Sequence, residues 1–273
     1  MKMTIEPVSA FSSLDVLVAM DEGLFKAEGL DLRMISRESR DIRSTTEGTL
    51  SSPVTNQGRL QERGEATMFQ GGECGNNRRV AESRVGALQI GRRSMIVCAA
   101  LVVPPDSSVY VPQELAHRRV GLDYGNGTAY AGLQMLEGAV PREAVTTCAA
   151  VTHPGERYAA MMRGEFDAIV LQEPWITVAE KAGCRLVSTT FFHGTWVAGP
   201  DLDPEVQALT PDDFNLGRIQ LREPTPIPED EARWAWDWMA SWGLIHGTFD
   251  VTAQINGKIA REAHELAFAA PSR

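Results

Sequence analysis

Apolar positions along the chain alternate between two spacings. TIEPVSAF near the start has strand-like residues, and Leu14, Leu17, Val18 and the Leu24-Phe25 pair follow at helical spacing, with Gly23 and Gly29 as helix stops. LDLRMIS reads as a second strand, so the chain opens β-α-β, which implies a parallel pair joined by a right-handed crossover. Residues 36–63 are polar and rich in Ser, Thr, Arg and Gly, predicting a loop around SSPVTNQG and a short helix before Gly64. ATMF is the next expected strand, ending in the glycine-rich QGGECGNN, and a longer strand ends at Pro104-Pro105. Val120 to Leu122 then reads as strand, Thr128 to Glu137 as helix, YAAMMRG as a helical turn or two, FDAIVLQ as a buried strand, EPWITVAEKAG as helix and CRLVSTTFF as strand. From FNLGRIQ to WGLI the pattern is helical again, and Trp234, Trp238 and Trp242 fall at i, i+4 and i+8, a face expected in the core.

This alternation predicts an α/β protein with parallel or mixed sheets. Within it a unit recurs: residues 64–73 read GEATMFQGGE and residues 164–173 read GEFDAIVLQE. In each copy a helix precedes Gly-Glu, a short apolar run follows and a glutamate closes it. The repeat predicts two similar lobes, each with a strand ending at a shared cleft. The plain alternative is a recurring helix-to-strand turn. A chain of 273 residues fits two lobes of about 100 to 150 residues each.

Composition narrows the function classes. Hydrophobic residues make up 43% and charged residues 23%, as in ordinary soluble globular proteins. The net charge of -10 argues against a nucleic-acid partner, and Arg78-Arg79, Arg92-Arg93 and Arg118-Arg119 are doublets, not a basic stripe. Cys74, Cys98, Cys148 and Cys184 form no C-x-x-C pair and have no histidine at ligand spacing, so no metal is expected and free thiols are the default. MKMTIEPVSAF lacks the apolar core of a secretory signal, and no stretch offers the ~18 unbroken apolar residues of a membrane span. The expectation is a cytoplasmic protein, or a periplasmic one whose export signal has been removed. Oligomeric state is left open.

Three stretches carry a family resemblance. FSSLDVLVAMDEGLFKAEGLDLRMI is similar to the start of the type 2 periplasmic-binding-protein fold, in the branch holding sulfonate, nitrate and taurine binding proteins and thiamine-pyrimidine precursor proteins. PQELAHRRVGLDYGNGTAYAGLQMLEG resembles that branch's entry into the second lobe, and YAAMMRGEFDAIVLQEPW its strand followed by Glu-Pro-Trp. The resemblance runs from Thr4 to about His264 and implies a two-lobed fold with a hinge and a central ligand cleft. It implies a first lobe of residues 1–100 plus 195–273 and a second lobe of residues 101–194. Gly71-Gly72-Glu73 also resembles a motif of the aromatic sulfinate desulfinases. However, Met68, Phe69 and Gln70 stand where that family has an arginine, and Phe11-Ser12-Ser13 where it has its nucleophilic cysteine, so the same chemistry is not supported.

Candidate ligand-binding residues sit at strand ends and helix starts, where free N–H groups and the positive helix end attract anions. They are Ser12 and Ser13, Gly71 and Gly72, Asn126, Gly127 and Thr128, and Glu173 with Trp175, whose ring offers a flat face to a cyclic or cationic group. For Ser12, Ser13 and Asn126 to Thr128 the plain alternative is helix capping, and for Glu173-Pro174-Trp175 a helix start. Candidate catalytic residues are Glu73 as an acid-base group, Cys74 as a nucleophile if its thiolate is stabilised, and His153 and His193 as proton carriers. An inert buried thiol is the alternative for Cys74. No P-loop, H-E-x-x-H or dinucleotide fingerprint is present in its proper context, so no cofactor is expected.

Two functions follow. One is a cytoplasmic, cofactor-independent lyase or hydrolase acting on a small polar or anionic substrate, favoured by the few residues that precede the first strand. The other is the substrate-binding protein of an ABC transporter, taking a sulfonate-, nitrate- or pyrimidine-like solute. Either way the partner is a small molecule.

Overall fold

The computed structural model describes residues 2–8, 10–35, 48–52, 58–82, 88–151, 153–195, 220–221 and 225–255. Most of the expected loop at 51–58 and the helical pattern expected at 214–219 lie outside them.

The chain opens with β1 (Lys2–Ile5), α1 (Ala10–Asp21), α2 (Leu24–Ala27) and β2 (Asp31–Met34), and β1 and β2 pair in parallel as the β-α-β pattern predicts. Ile5, Val8 and Val16 form a small core here with Leu17, Phe25, Leu32 and Met68. The expected ATMF strand is shorter than predicted. Met68 makes a single bridge to Ile5, and regular pairing resumes only at β3 (Gly71–Gly72), after α3 (Arg59–Glu62).

α4 (Glu73–Glu82), β4 (Met95–Val103), β5 (Arg119–Leu122), α5 (Gly127–Glu137), β6 (Thr146–Ala149), α6 (Pro154–Met162), β7 (Ala168–Gln172), α7 (Trp175–Lys181) and β8 (Arg185–Thr195) follow. A mixed sheet runs β3-β8-β4-β7-β5-β6, with β9 (Gln220–Leu221) beside β4. β5 is parallel to β6 and β7, whereas β4 is antiparallel to β7 and β8. β4 is buried along its whole length because both of its faces are covered. Ala99, Leu101 and Val103 face a core shared with α5, and Cys98, Ala100 and Val102 face one shared with α7.

The repeated Gly-Glu has one geometry in both copies. Gly64 and Gly164 adopt φ of 74° and 80°, left-handed values that glycine takes without a Cβ penalty. Glu65 N–H donates to Leu60 C=O and Glu165 N–H to Ala160 C=O, the six-to-one bond that closes a helix before the chain leaves it. The recurrence is thus a helix stop feeding a strand.

Among the described residues the last helices are α8 (Glu229–Ser241) and α9 (Val251–Gln254). Ala232, Ala235, Trp236 and Met239 form the buried stripe of α8. The expected tryptophan face is corrected here: Trp236 lies in the core, Trp238 and Trp242 flank it, and Trp234 is 61% exposed. Positions i, i+4 and i+8 span about 80° and can share a face, but the side of this helix turned to the core is the one carrying Ala232, Ala235, Trp236 and Met239, which leaves Trp234 outside. α8 packs on the large sheet, where Trp236 and Met239 share a core with Val120, Leu122 and Leu133. The indole N–H groups of Trp238 and Trp242 fasten it there, donating to Glu137 Oε2 at 2.6 and 3.2 Å.

Candidate functional site

β3 ends where α4 begins, so Gly72 leads directly into Glu73 at a helix start. β3 is held against the end of β8, with Gly72 opposite Gly194. α5 brings its own first residue to the same place. A Cβ on Gly72 would lie 2.5 Å from Gly127 Cα, and one on Gly127 would lie 2.7 Å from Gly72 Cα, with Phe192 close to both. Only glycine at both positions permits this approach.

Beside that contact lies a cavity of about 510 Å³. Glu73, Cys74 and Arg92 form one wall, Gly127, Tyr130 and Gln134 of α5 another, Phe191 to His193 of β8 the floor, and Asp230, Glu231 and Trp234 of α8 the rim. Arg92 is the charged centre. Its guanidinium meets the two carboxylate oxygens of Glu73 at 3.3 Å each and reaches Glu231 at 2.5 Å. The Arg92 side chain is 7% exposed and that of Glu73 12%. Burial raises the Glu73 carboxyl above its ordinary value, opposed by the charge and hydrogen bonds of Arg92. Burial, reinforced by the charge of Glu73, pushes the Cys74 thiol up to about 12. A thiol so shifted is almost wholly protonated at neutral pH and is a poor nucleophile.

Four of the predicted residues, Glu73, Cys74, Gly127 and His193, thus line one cavity, and Gly72 abuts it. The others sit elsewhere in their local structure. Thr128 donates to Asp123 Oδ1 at 2.8 Å, and Asp123 faces Arg157 at 3.4 Å in an ion pair buried on both sides. Asn126 precedes α5 as its cap residue without a side-chain capping bond. Glu173 accepts from both the N–H and the hydroxyl of Thr177, at 3.2 and 2.8 Å, closing the first turn of α7. The ring of Trp175 is buried against Tyr158 and Gly155, so the flat face expected for a ligand is covered by protein. His153 caps α6, its Nδ1 accepting from Glu156 N–H at 3.3 Å. Ser13 is buried, with its hydroxyl donating to Gln70 Oε1 at 2.6 Å, whereas the side chain of Ser12 lies outside the described residues. Gly71 pairs with Thr195 in the sheet. Among the described residues, no group of His, Cys, Asp and Glu is arranged to hold a metal ion.

Arg92, Tyr130, Phe191, Asp230, Glu231 and Trp234 were missed. For Arg92 a signal existed: a charge three residues ahead of a strand as apolar as MIVCAALVV enters a buried environment and needs a partner there.

No protein-family model matches the chain, and no curated protein matches it. Solved structures do. The alkanesulfonate-binding protein SsuA from Xanthomonas axonopodis pv. citri, bound to MOPS, superposes with a TM-score of 0.66 at 15% identity, over 93% of this chain and 97% of that one. The periplasmic aliphatic sulphonate binding protein SsuA from Escherichia coli gives 0.61 at 11% identity, over 93% and 92%. A DszB variant in complex with biphenyl-2-sulfinic acid gives 0.53 at 14% identity, over 97% and 99%. At these identities the likeness shows the fold. It is the two-lobed α/β fold of the type 2 periplasmic binding proteins, as the three resembling stretches of the sequence suggest.

Proposed function

We propose that this chain is a solute-binding protein that holds a small organic molecule in the cleft between two lobes and delivers it to a membrane transporter. The observation that carries this reading is the cavity of about 510 Å³, whose walls come from distant parts of the chain and meet where α4 and α5 begin. A volume of that size suits a small-molecule ligand. The lobes we envisage are joined by β4 and β8, the two longest strands, which pair antiparallel and would act as the hinge. A transporter-coupled binder works outside the cytoplasm, and we place the chain there.

The lyase or hydrolase reading has less support. Its nucleophile is a thiol shifted to about 12, and its acid-base carboxylate is held by an arginine. One scaffold can serve binders and enzymes alike, so that reading is tested beside the first. The test is a screen of small organic molecules by thermal shift, with each hit followed by calorimetry and by NMR of the ligand after prolonged incubation. A saturable, stabilising ligand recovered unchanged supports the proposal. Conversion of the ligand to product overturns it in favour of catalysis.

A further inference from the structure

We infer that the ligand of this cavity is an organic cation with an apolar or aromatic body, not a sulfonate or another anion. This rests on the solute-binding reading and names its ligand class. The lining presents three carboxylates, Glu73, Asp230 and Glu231, against the single guanidinium of Arg92. That guanidinium is already engaged by Glu73 and Glu231. An anion entering the cavity therefore meets no uncommitted arginine or lysine among the described lining residues. To reach Arg92 it must displace Glu73, which would leave a mostly buried carboxylate without its partner. The positive ends of α4 and α5 also point here, and Glu73, in the first turn of α4, already supplies the negative charge that they favour.

The rim favours the opposite charge. Asp230 and Trp234 stand four residues apart on α8, one turn along the same side of the helix, and Trp234 is 61% exposed. Phe191, 43% exposed, lines the cavity from β8. A carboxylate beside uncovered aromatic faces is the arrangement that recognises alkylammonium groups, the ring quadrupole and the carboxylate acting in the same direction. Acidic residues in the first turn of α8 also complement its dipole, which accounts for Glu229 equally well. Helix stability does not account for the indole of Trp234 standing uncovered one turn above Asp230, or for the cavity behind them.

Three isosteric probes separate charge from shape: benzyltrimethylammonium, neopentylbenzene and phenylmethanesulfonate, titrated into the full chain by calorimetry. The expected result is an affinity for the ammonium at least ten-fold above that for the neutral isostere, with no measurable sulfonate binding. Asp230→Asn and Trp234→Ala, both at exposed positions, should each weaken the ammonium about five-fold or more while leaving the melting temperature near that of the parent. Sulfonate binding equal to or tighter than ammonium binding overturns the charge inference and leaves the solute-binding reading standing. Ammonium binding that neither variant alters also overturns it, because the site would then lie elsewhere. If no probe of any charge binds, the cation inference falls, and the solute-binding reading is decided separately by the wider thermal-shift screen.

Discussion

Gly127→Ala tests the contact on which the site is built. The added Cβ would lie 2.7 Å from Gly72 Cα, against the 3.4 Å at which ordinary contact begins, so β3 and the start of α5 must separate by about 0.7 Å. The obstacle is backbone, with no flexible side-chain end to swing aside. Overpacking of this kind costs about 1–3 kcal/mol. Alanine restricts the unfolded chain and returns about 0.4–1 kcal/mol wherever the native backbone accepts it. The net expectation is a loss of roughly 1–2 kcal/mol, or a melting temperature lower by about 2–8 °C for a chain of this size. Gly138→Ala is the matched control. Gly138 has φ of -71°, and its nearest neighbour to an added Cβ is Gln134 C=O at 3.5 Å, so alanine fits there and should stabilise by about 0.4–1 kcal/mol. Urea unfolding followed by tryptophan fluorescence measures both variants. Equal stability of the two would mean that Gly72 and Gly127 do not touch in solution, and the description of the site would fail with them.

Trp236→Ala removes a core indole and should cost about 3–5 kcal/mol in the same unfolding assay, whereas Trp234→Ala, on the exposed side of α8, should change stability by less than about 0.5 kcal/mol. Cys74 should resist iodoacetamide at pH 8 in the native protein and react once urea is added, as read by mass spectrometry of its peptide, because its thiol is shifted to about 12. Burial tends to raise the Glu137 carboxyl, but hydrogen bonds from Arg142, Trp238 and Trp242 outweigh it and leave the carboxyl below its ordinary 4.5. A folded-state value that is depressed gives stability that is full above pH 4.5 and is lost as pH falls through the lowered value. Glu137→Gln should therefore cost about 1 kcal/mol at pH 7, and the difference from the parent should shrink in acid unfolding curves.

What could be read from the sequence depended on how far apart, along the chain, the interacting groups lie. The helix stops at Gly64 and Gly164 were legible because a left-handed turn is decided within five residues. β4 and β7 were legible because a strand covered on both faces must be apolar throughout. Glu73 lines the cavity because a Gly-Gly strand end followed by a helix start fixes its position locally. The repeat then misled about its other end. Glu173 matches Glu73 in sequence, but a threonine four residues on, Thr177, takes up its carboxylate and makes it a cap.

The charges that set the site's character are paired across much greater distances. Arg92 meets Glu73 from 19 positions away and Glu231 from 139, and no local pattern specifies either partner. The same holds for α8, whose register around its own axis is chosen by contacts with β5 and α5 and by the Glu137 carboxylate, not by the spacing of its tryptophans. This is why a resemblance carried by strand-helix stretches can give the fold and still leave the charge of the ligand to be argued from the cavity itself. The backbone of a strand end or helix start is inherited with the fold, whereas the sign of a cavity's charge depends on a few side chains brought together from distant segments. In this chain α8, which packs on β5 and α5, contributes two of the three carboxylates among the described cavity residues, Asp230 and Glu231, so a likeness of fold says nothing about which charge the cleft accepts.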